Sequence, residues 1–92
     1  MSDDVEVRIK RDVLHFMMKV AFIEIRAATS LNVAKKYADI FHGLPMALLA
    51  CSRVDDYDTQ FARLLERAKR SGLETYVLEL HEDAIRAVTR SG

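Results

Sequence analysis

This chain is poor in the residues from which compact chemical motifs are built. Its 92 residues include no tryptophan, one proline, three glycines and one cysteine. Because Cys51 has no second cysteine to pair with, an internal disulfide is excluded, which fits a reducing compartment. The scattered glycines do not form a phosphate-binding loop, and one cysteine does not make a zinc-cysteine motif. The sequence therefore favours a protein without a cofactor, and we expect none.

Long apolar runs are also missing. The longest clean ones cover residues 20–23 and 44–51, which is far short of the roughly 20 residues that a membrane-spanning helix needs. The amino terminus is acidic and has no apolar segment followed by a cleavage site, so it does not look like a secretion signal. Without a membrane span or a signal, we expect a cytoplasmic protein.

Neither sign of charge dominates the chain. Fourteen basic and fourteen acidic residues give a formal net charge of zero. A neutral chain has no long-range attraction for nucleic acid or for an anionic membrane, so an electrostatic site has to be a local patch. Because 50% of the residues are hydrophobic and 30% are charged, residues 1–92 should fold as a single small domain.

The hydrophobic residues that are present are concentrated in residues 13–31, which are apolar on nearly every side. Their spacing predicts a first helix from about Asp12 to Thr29. Its few polar groups form one narrow stripe, made of His15, Lys19, Arg26 and Ser30. Residues 1–11 alternate apolar and charged side chains, which fits a short edge strand or a frayed lead-in to this helix. We favour the helical lead-in, since a strand would need a partner.

Further helical segments follow along the chain. Residues 32–45 have helical spacing after a capping residue at Ser30 or Asn32, and Gly43 and Pro45 supply stop signals. A short apolar run at residues 46–51 predicts a separate short helix or a kinked continuation.

The clearest pattern covers residues 55–70. Acids stand at its start and bases at its end, which complements the helix dipole, and Gly72 follows it as a stop signal. The last segment, residues 73–90, also has helical spacing, although residues 75–80 have the β-branched and aromatic content of a strand.

These elements predict an all-α fold, a small antiparallel up-and-down bundle of about four helices in which the first two helices lie side by side. The alternative is an α+β fold. In that arrangement a short N-terminal strand at residues 5–9 pairs with residues 76–80, and only residues 82–90 remain helical.

One set of polar residues stands out, made of Glu24, Arg26, Asp39 and His42. Glu24 shares a helical row with apolar residues of the first helix, which predicts a carboxylate that faces the interior. Asp39 and His42, at positions i and i+3, share one face of the second helix. Carboxylate-x-x-His beside a glutamate is half of the ligand set of a di-iron bundle, but the other half is missing. A buried polar cluster with a structural ion pair is therefore favoured over a metal or ligand site.

Catalysis and nucleic-acid binding have weaker signals. Cys51 and His42 are a poor candidate for nucleophile and base, because Cys51 ends an apolar run and is expected to be a small buried hydrophobe. No recognisable catalytic motif is present, so the sequence favours a protein that is not an enzyme.

A basic face is predicted on the helix at residues 55–70. Arg63, Arg67 and Arg70 stand at positions i, i+4 and i+7, a spacing that could lie against phosphates. Neighbouring acids oppose this interpretation, and Glu66 is expected to pair with Arg63 and Arg70. The sequence therefore disfavours nucleic acid as a partner.

The strongest functional signal is the excess of apolar surface. A small bundle cannot cover every side of a helix that is apolar nearly all round. We therefore expect a regulatory or protein-interaction module that forms a homodimer through Met17, Met18, Phe22 and Met46, with binding to another protein as the alternative. A ligand- or metal-binding bundle built on Glu24, Asp39 and His42 is the second hypothesis, and weak nucleic-acid binding through the basic face is the third.

Overall fold

The fold is all-α, as the helical spacing predicts. A computed structural model describes the backbone of residues 2–91 and the side chains of residues 5–90. It contains α1 (Ser2–Ala27), α2 (Leu31–Phe41), α3 (Leu44–Ala50), α4 (Val54–Arg70) and α5 (Glu74–Ser91). The described residues include no strand, so the α+β alternative is wrong: residues 5–9 belong to α1 and residues 76–80 belong to α5.

The ends of the helices follow local signals in the sequence. Oγ of Ser30 accepts a hydrogen bond from the backbone N–H of Val33 at 3.2 Å, as an N-cap does. Pro45 lies in the first turn of α3, where its missing N–H leaves no helical hydrogen bond unmade. Gly72 follows α4 with a φ of 73°, a left-handed conformation that glycine adopts without strain. The predicted cap at Ser30 and the stop after α4 are confirmed.

The first helix begins earlier than its apolar pattern predicts. It starts at Ser2 and not near Asp12, so residues 2–11 form the first part of α1. The helical lead-in, and not the edge strand, is therefore the correct prediction for these residues. The apolar run after Gly43 forms α3, a separate helix of 7 residues. The predicted bundle of about four helices is therefore confirmed, with α3 as a short additional element.

The central element is α1, because each of the other four helices contacts it. Its buried face carries four side chains that are at most 2% exposed: Val13, Leu14, Met17 and Ala21. The remaining helices add further core side chains, among them Ile40, Leu44, Leu64 and Val77. The polar stripe of α1 faces solvent, as predicted, at His15, Lys19 and Arg26. Burial of these apolar side chains is the main force that holds the five helices together.

An aromatic cluster ties α1, α4 and α5 together. The hydroxyl of Tyr57 and Nε2 of His81 share a hydrogen bond, in which the hydroxyl donates when Nδ1 of His81 carries the proton. The ring of Phe61 stacks on Tyr57 with centroids 6.1 Å apart, and it lies 4.1 Å from the ring of His81. Nζ of Lys10 lies 4.4 Å from the centroid of the Tyr57 ring, in cation–π geometry. Tyr57 of α4 thus contacts both α5, through His81, and α1, through Lys10.

The position of His81 predicts that the protein loses stability as the pH falls below about 6.5. Burial, and then the charge of Lys10, lower the pKa of His81 below its ordinary 6.5, and Glu82 opposes them only in part. Between pH 6.5 and the lowered pKa, the unfolded chain binds a proton at His81 that the folded chain does not bind. The free energy of unfolding therefore decreases as the pH falls through this range.

Urea unfolding between about pH 7.5 and 5.5, above the range in which carboxylates titrate, measures this effect. His81→Gln should flatten the dependence of the unfolding free energy on pH. His15→Gln is the matched control, because it removes an exposed histidine that does not contact the cluster. Equal slopes for wild type and His81→Gln would contradict the assignment.

Candidate functional site

The short helix α3 exposes apolar side chains on its outer face. Leu44 and Ala47 are buried, at 2% and 5% exposure. Met46 and Leu49, on the opposite side of the helix, are 68% and 76% exposed, and Pro45 beside them is exposed as well. A helix of 7 residues has room for one buried face, so its other face remains in solvent. An exposed apolar ridge results.

An apolar groove runs along one side of this ridge, between α1 and α2. Its volume is about 270 Å³. Its walls are formed by Met18, Ala21, Phe22, Ile25, Ala38, Phe41, His42 and Pro45. Among these residues His42 is the one polar side chain, and Phe22 is 54% exposed at the rim. We call this cavity the apolar groove.

A second groove lies on the other side of the ridge, between α3 and α4, and its volume is about 230 Å³. Its lining includes Met46, Gln60, Arg63 and Arg67, and no acidic residue is among the residues that form it. We call it the basic groove. His42 lines both grooves, so its side chain lies between them at the start of α3. The term α3 surface is used below for Phe22, His42, Pro45, Met46, Leu49, Arg63 and Arg67.

The side chain of His42 connects α2 to α4 at the junction of the grooves. Nδ1 lies 2.8 Å from the carbonyl oxygen of Asp39, to which it donates a hydrogen bond when it carries the proton. Nε2 is then an acceptor, and it lies 3.1 Å from Nη1 of Arg67. The same Nη1 would lie 3.1 Å from a Cβ atom at Gly43, so glycine leaves the guanidinium room to pack over the α2–α3 turn. The position of Arg67 is thereby fixed.

The arginines of the basic groove have no acidic counterpart. In the described part of the chain, ion pairs link Lys69 to Glu74 and Arg86 to Asp83, and neither Arg63 nor Arg67 takes part in one. The expected pairing of Glu66 with Arg63 and Arg70 is therefore not observed. Among the described residues, Arg63 and Arg67 therefore line this groove without an ion pair to a carboxylate.

The predicted buried polar cluster is wrong. Arg26, Asp39 and His42 are exposed, and Glu24 is half-buried, without a hydrogen bond or ion pair to any of them among the described residues. Glu24 acts instead on Tyr76 of α5: burial, and after it the carboxylate of Glu24, raise the pKa of Tyr76 to about 12. No group of three or more metal-ligating side chains occurs in the described residues.

The predicted interface residues fall into two groups. Met17 is 0% exposed, so its assignment to an interface is wrong: it is a core residue. Met18 is half-buried and lines the apolar groove, whereas Phe22 and Met46 are exposed on the α3 surface. The sequence interpretation missed Leu49, although helical spacing within residues 44–50 places it beside Met46 and opposite Leu44.

The predicted basic face is present in part. Arg63 is exposed and Arg67 is half-buried, and both line the basic groove. Arg70 is also exposed, but it lies beyond this groove. The packing of α3 on α4 places Arg63 and Arg67, but not Arg70, on the α3 surface.

Comparison with known protein families, with curated proteins and with solved structures gives no match. Among the helices of the described residues, none combines the length and the apolar character that a membrane crossing requires.

Proposed function

We propose that this chain is a protein-interaction module that binds another protein through the α3 surface. The observation that carries the proposal is the exposure of Met46 and Leu49 beside an apolar groove bordered by Phe22. Apolar side chains gathered on one exposed surface are stabilised when a partner removes them from water. Aromatic residues, methionine and arginine are also the residue types enriched at the centres of protein interfaces, and the α3 surface contains all three.

At the α3 surface, a small-molecule site is less well supported than a protein interface. The apolar groove, at about 270 Å³, is smaller than the roughly 300–1,000 Å³ of typical ligand pockets. It also has a single polar side chain, His42, to orient a ligand. The basic groove offers two arginines next to Met46, which suits a mixed apolar and charged protein surface better than a row of phosphates.

Site-specific photo-cross-linking in the cells that naturally produce the chain tests this proposal. A benzophenone-bearing residue is placed at Phe22, at Leu49 or, as a matched control, at Leu78, which is a 40% exposed apolar side chain on α5. We expect one adduct of the same partner from Phe22 and Leu49, no such adduct from Leu78, and loss of the adduct when Met46→Asp is added.

Two outcomes would contradict the proposal. Equal adducts from all three positions would mean that the α3 surface has no preference for a partner. An adduct of twice the chain mass of 10.5 kDa would mean that a second copy, and not another protein, covers the surface.

A further inference from the structure

We infer that the partner contributes an amphipathic α-helix that carries acidic residues along one edge of its apolar stripe. This inference rests on the proposed function and specifies which kind of partner segment binds to the α3 surface. The apolar side chains of the helix would enter the apolar groove and cover the ridge of Met46 and Leu49. Its carboxylates would face Arg63 and Arg67 across the basic groove.

The absence of a sheet edge favours a helix over an extended strand. A bound strand obtains much of its affinity from main-chain hydrogen bonds to an unpaired sheet edge. The described residues of this protein are helices and turns, whose backbone groups are bonded within the helices. Recognition at the α3 surface therefore depends on side chains. A helix that places apolar residues at i, i+3 or i+4, and i+7 is the usual ligand of such a groove.

The charges around the two grooves fix the orientation of that helix. The apolar groove has no charged lining residue, whereas the basic groove has Arg63 and Arg67 and no acid. The charged residues among those that line the two grooves are therefore Arg63 and Arg67, so the edge of the bound helix that faces the basic groove would meet positive charge. A guanidinium offers five N–H donors in a planar fork, which suits a carboxylate bound by two hydrogen bonds.

The geometry of Arg67 supports this arrangement. Its Nη1 is directed to the imidazole of His42, which leaves the other nitrogens of the guanidinium as donors. Because this contact and the turn at Gly43 hold the side chain in place, less conformational entropy is lost when a carboxylate binds. A lysine or arginine at the same edge of the partner helix would be repelled by both arginines.

A display library tests the inference on the full purified chain. Its peptides share a fixed helical apolar stripe, and the positions on both flanks are randomised among Asp, Glu, Lys, Arg and Ser. We expect the selected peptides to carry Asp or Glu on one flank. The affinity of the most enriched peptide is then measured by fluorescence anisotropy, with circular dichroism to confirm that each protein variant is folded.

The decisive comparison is between two exposed arginines of the same helix. Arg63→Glu should weaken binding about tenfold, because an attraction becomes a repulsion, whereas Arg70→Glu, beyond the groove, should change it less than about threefold. Raising the salt concentration should weaken binding to wild type and leave Arg63→Glu less affected. Should Arg63→Glu fail to fold, Arg63→Gln gives the same ranking with a smaller loss.

The possible failures are distinguishable. Basic or uncharged peptides that bind wild type and are lost with Leu49→Ser would overturn the acidic helix and leave the proposed function in place. Equal losses of peptide affinity in Arg63→Glu and Arg70→Glu would also overturn the acidic helix and leave the proposed function in place. Peptides whose binding does not depend on Leu49 would overturn both the acidic helix and the proposed function. Light scattering that shows a dimer which Leu49→Ser dissociates would assign the surface to a second copy and overturn the acidic partner.

Discussion

Replacing Met17 by alanine is expected to lower the free energy of unfolding by about 2–5 kcal/mol. The side chain of Met17 is 0% exposed and lies on the buried face of α1 with Val13, Leu14 and Ala21. Because every other helix contacts α1, the cavity that alanine leaves cannot be closed by moving one neighbour alone. Urea unfolding followed by circular dichroism at 222 nm measures the loss.

Leu49→Ala is the matched control for Met17→Ala. Leu49 is 76% exposed on α3, so its truncation should change the unfolding free energy by no more than about 0.5 kcal/mol. The two variants should rank oppositely in binding, because Leu49 belongs to the α3 surface and Met17 does not reach it. A small stability loss for Met17→Ala, equal to that of Leu49→Ala, would place Met17 at the surface of the protein.

Met17 also illustrates which features of the fold could be predicted from the sequence. The type of the helices and most of their boundaries depend on local signals, such as the cap at Ser30 and the glycine after α4. The direction in which an apolar side chain points depends on the neighbouring helices. Met17 and Met18 are both apolar and differ by about 100° around α1, and the packing of other helices buries the first and leaves the second at the groove.

The same distinction explains the incorrect polar cluster. The spacing of Asp39 and His42 places both on one face of α2, but spacing within a helix does not determine which neighbour that face meets. In the structure His42 contacts the carbonyl of Asp39 and the guanidinium of Arg67, and Glu24 lies near Tyr76. The contact of His42 with Arg67 joins α2 to α4, a pairing that spacing within α2 does not reveal.

The α3 surface depends both on residue spacing within single helices and on the packing of neighbouring helices. Met46 and the three arginines of α4 were identifiable by residue type and spacing. The adjacency of Met46 to Arg63 and Arg67 comes from the packing of α3 against α4, which no local pattern encodes. Met46, predicted as an interface residue, and Arg63 and Arg67, predicted as part of a basic face, therefore lie on the same surface.

Stability and the proposed binding depend on different residues of this protein. The side chains with the largest buried volumes, such as Leu14 and Ile40, lie in the core and have no exposed surface to offer a partner. Leu49, Met46 and Arg63 are exposed and contribute few internal contacts. Substitutions in the α3 surface can therefore test binding without unfolding the chain, which the core substitutions cannot do.

Replacing Tyr57 by alanine is expected to cost about 3–5 kcal/mol of stability. Tyr57 is 4% exposed, and its ring packs against Phe61 and beneath the ammonium of Lys10. Alanine removes the ring, both ring contacts and the hydrogen bond to His81 in one step. For a domain with roughly 0.05–0.15 kcal/mol of stability per residue this is a large fraction of the total, so the variant should be near its unfolding midpoint at moderate temperature.

Tyr57→Phe separates the ring from its hydroxyl. Phenylalanine keeps the stacking on Phe61 and leaves Nε2 of His81 without its hydrogen-bond partner, so we expect the unfolding free energy to fall by about 0.5–1.5 kcal/mol, measured by the same urea unfolding. When Tyr57→Phe is made in a His81→Phe background, the loss of stability should be smaller, because no ring nitrogen remains there to be hydrogen-bonded. The double-mutant cycle of these two substitutions measures the coupling energy between the hydroxyl and the imidazole. A cycle with no coupling would show that the hydroxyl and the imidazole stabilise the fold independently. Equal losses for Tyr57→Phe and Tyr57→Ala would show that the hydroxyl, and not the buried ring, holds α1, α4 and α5 together.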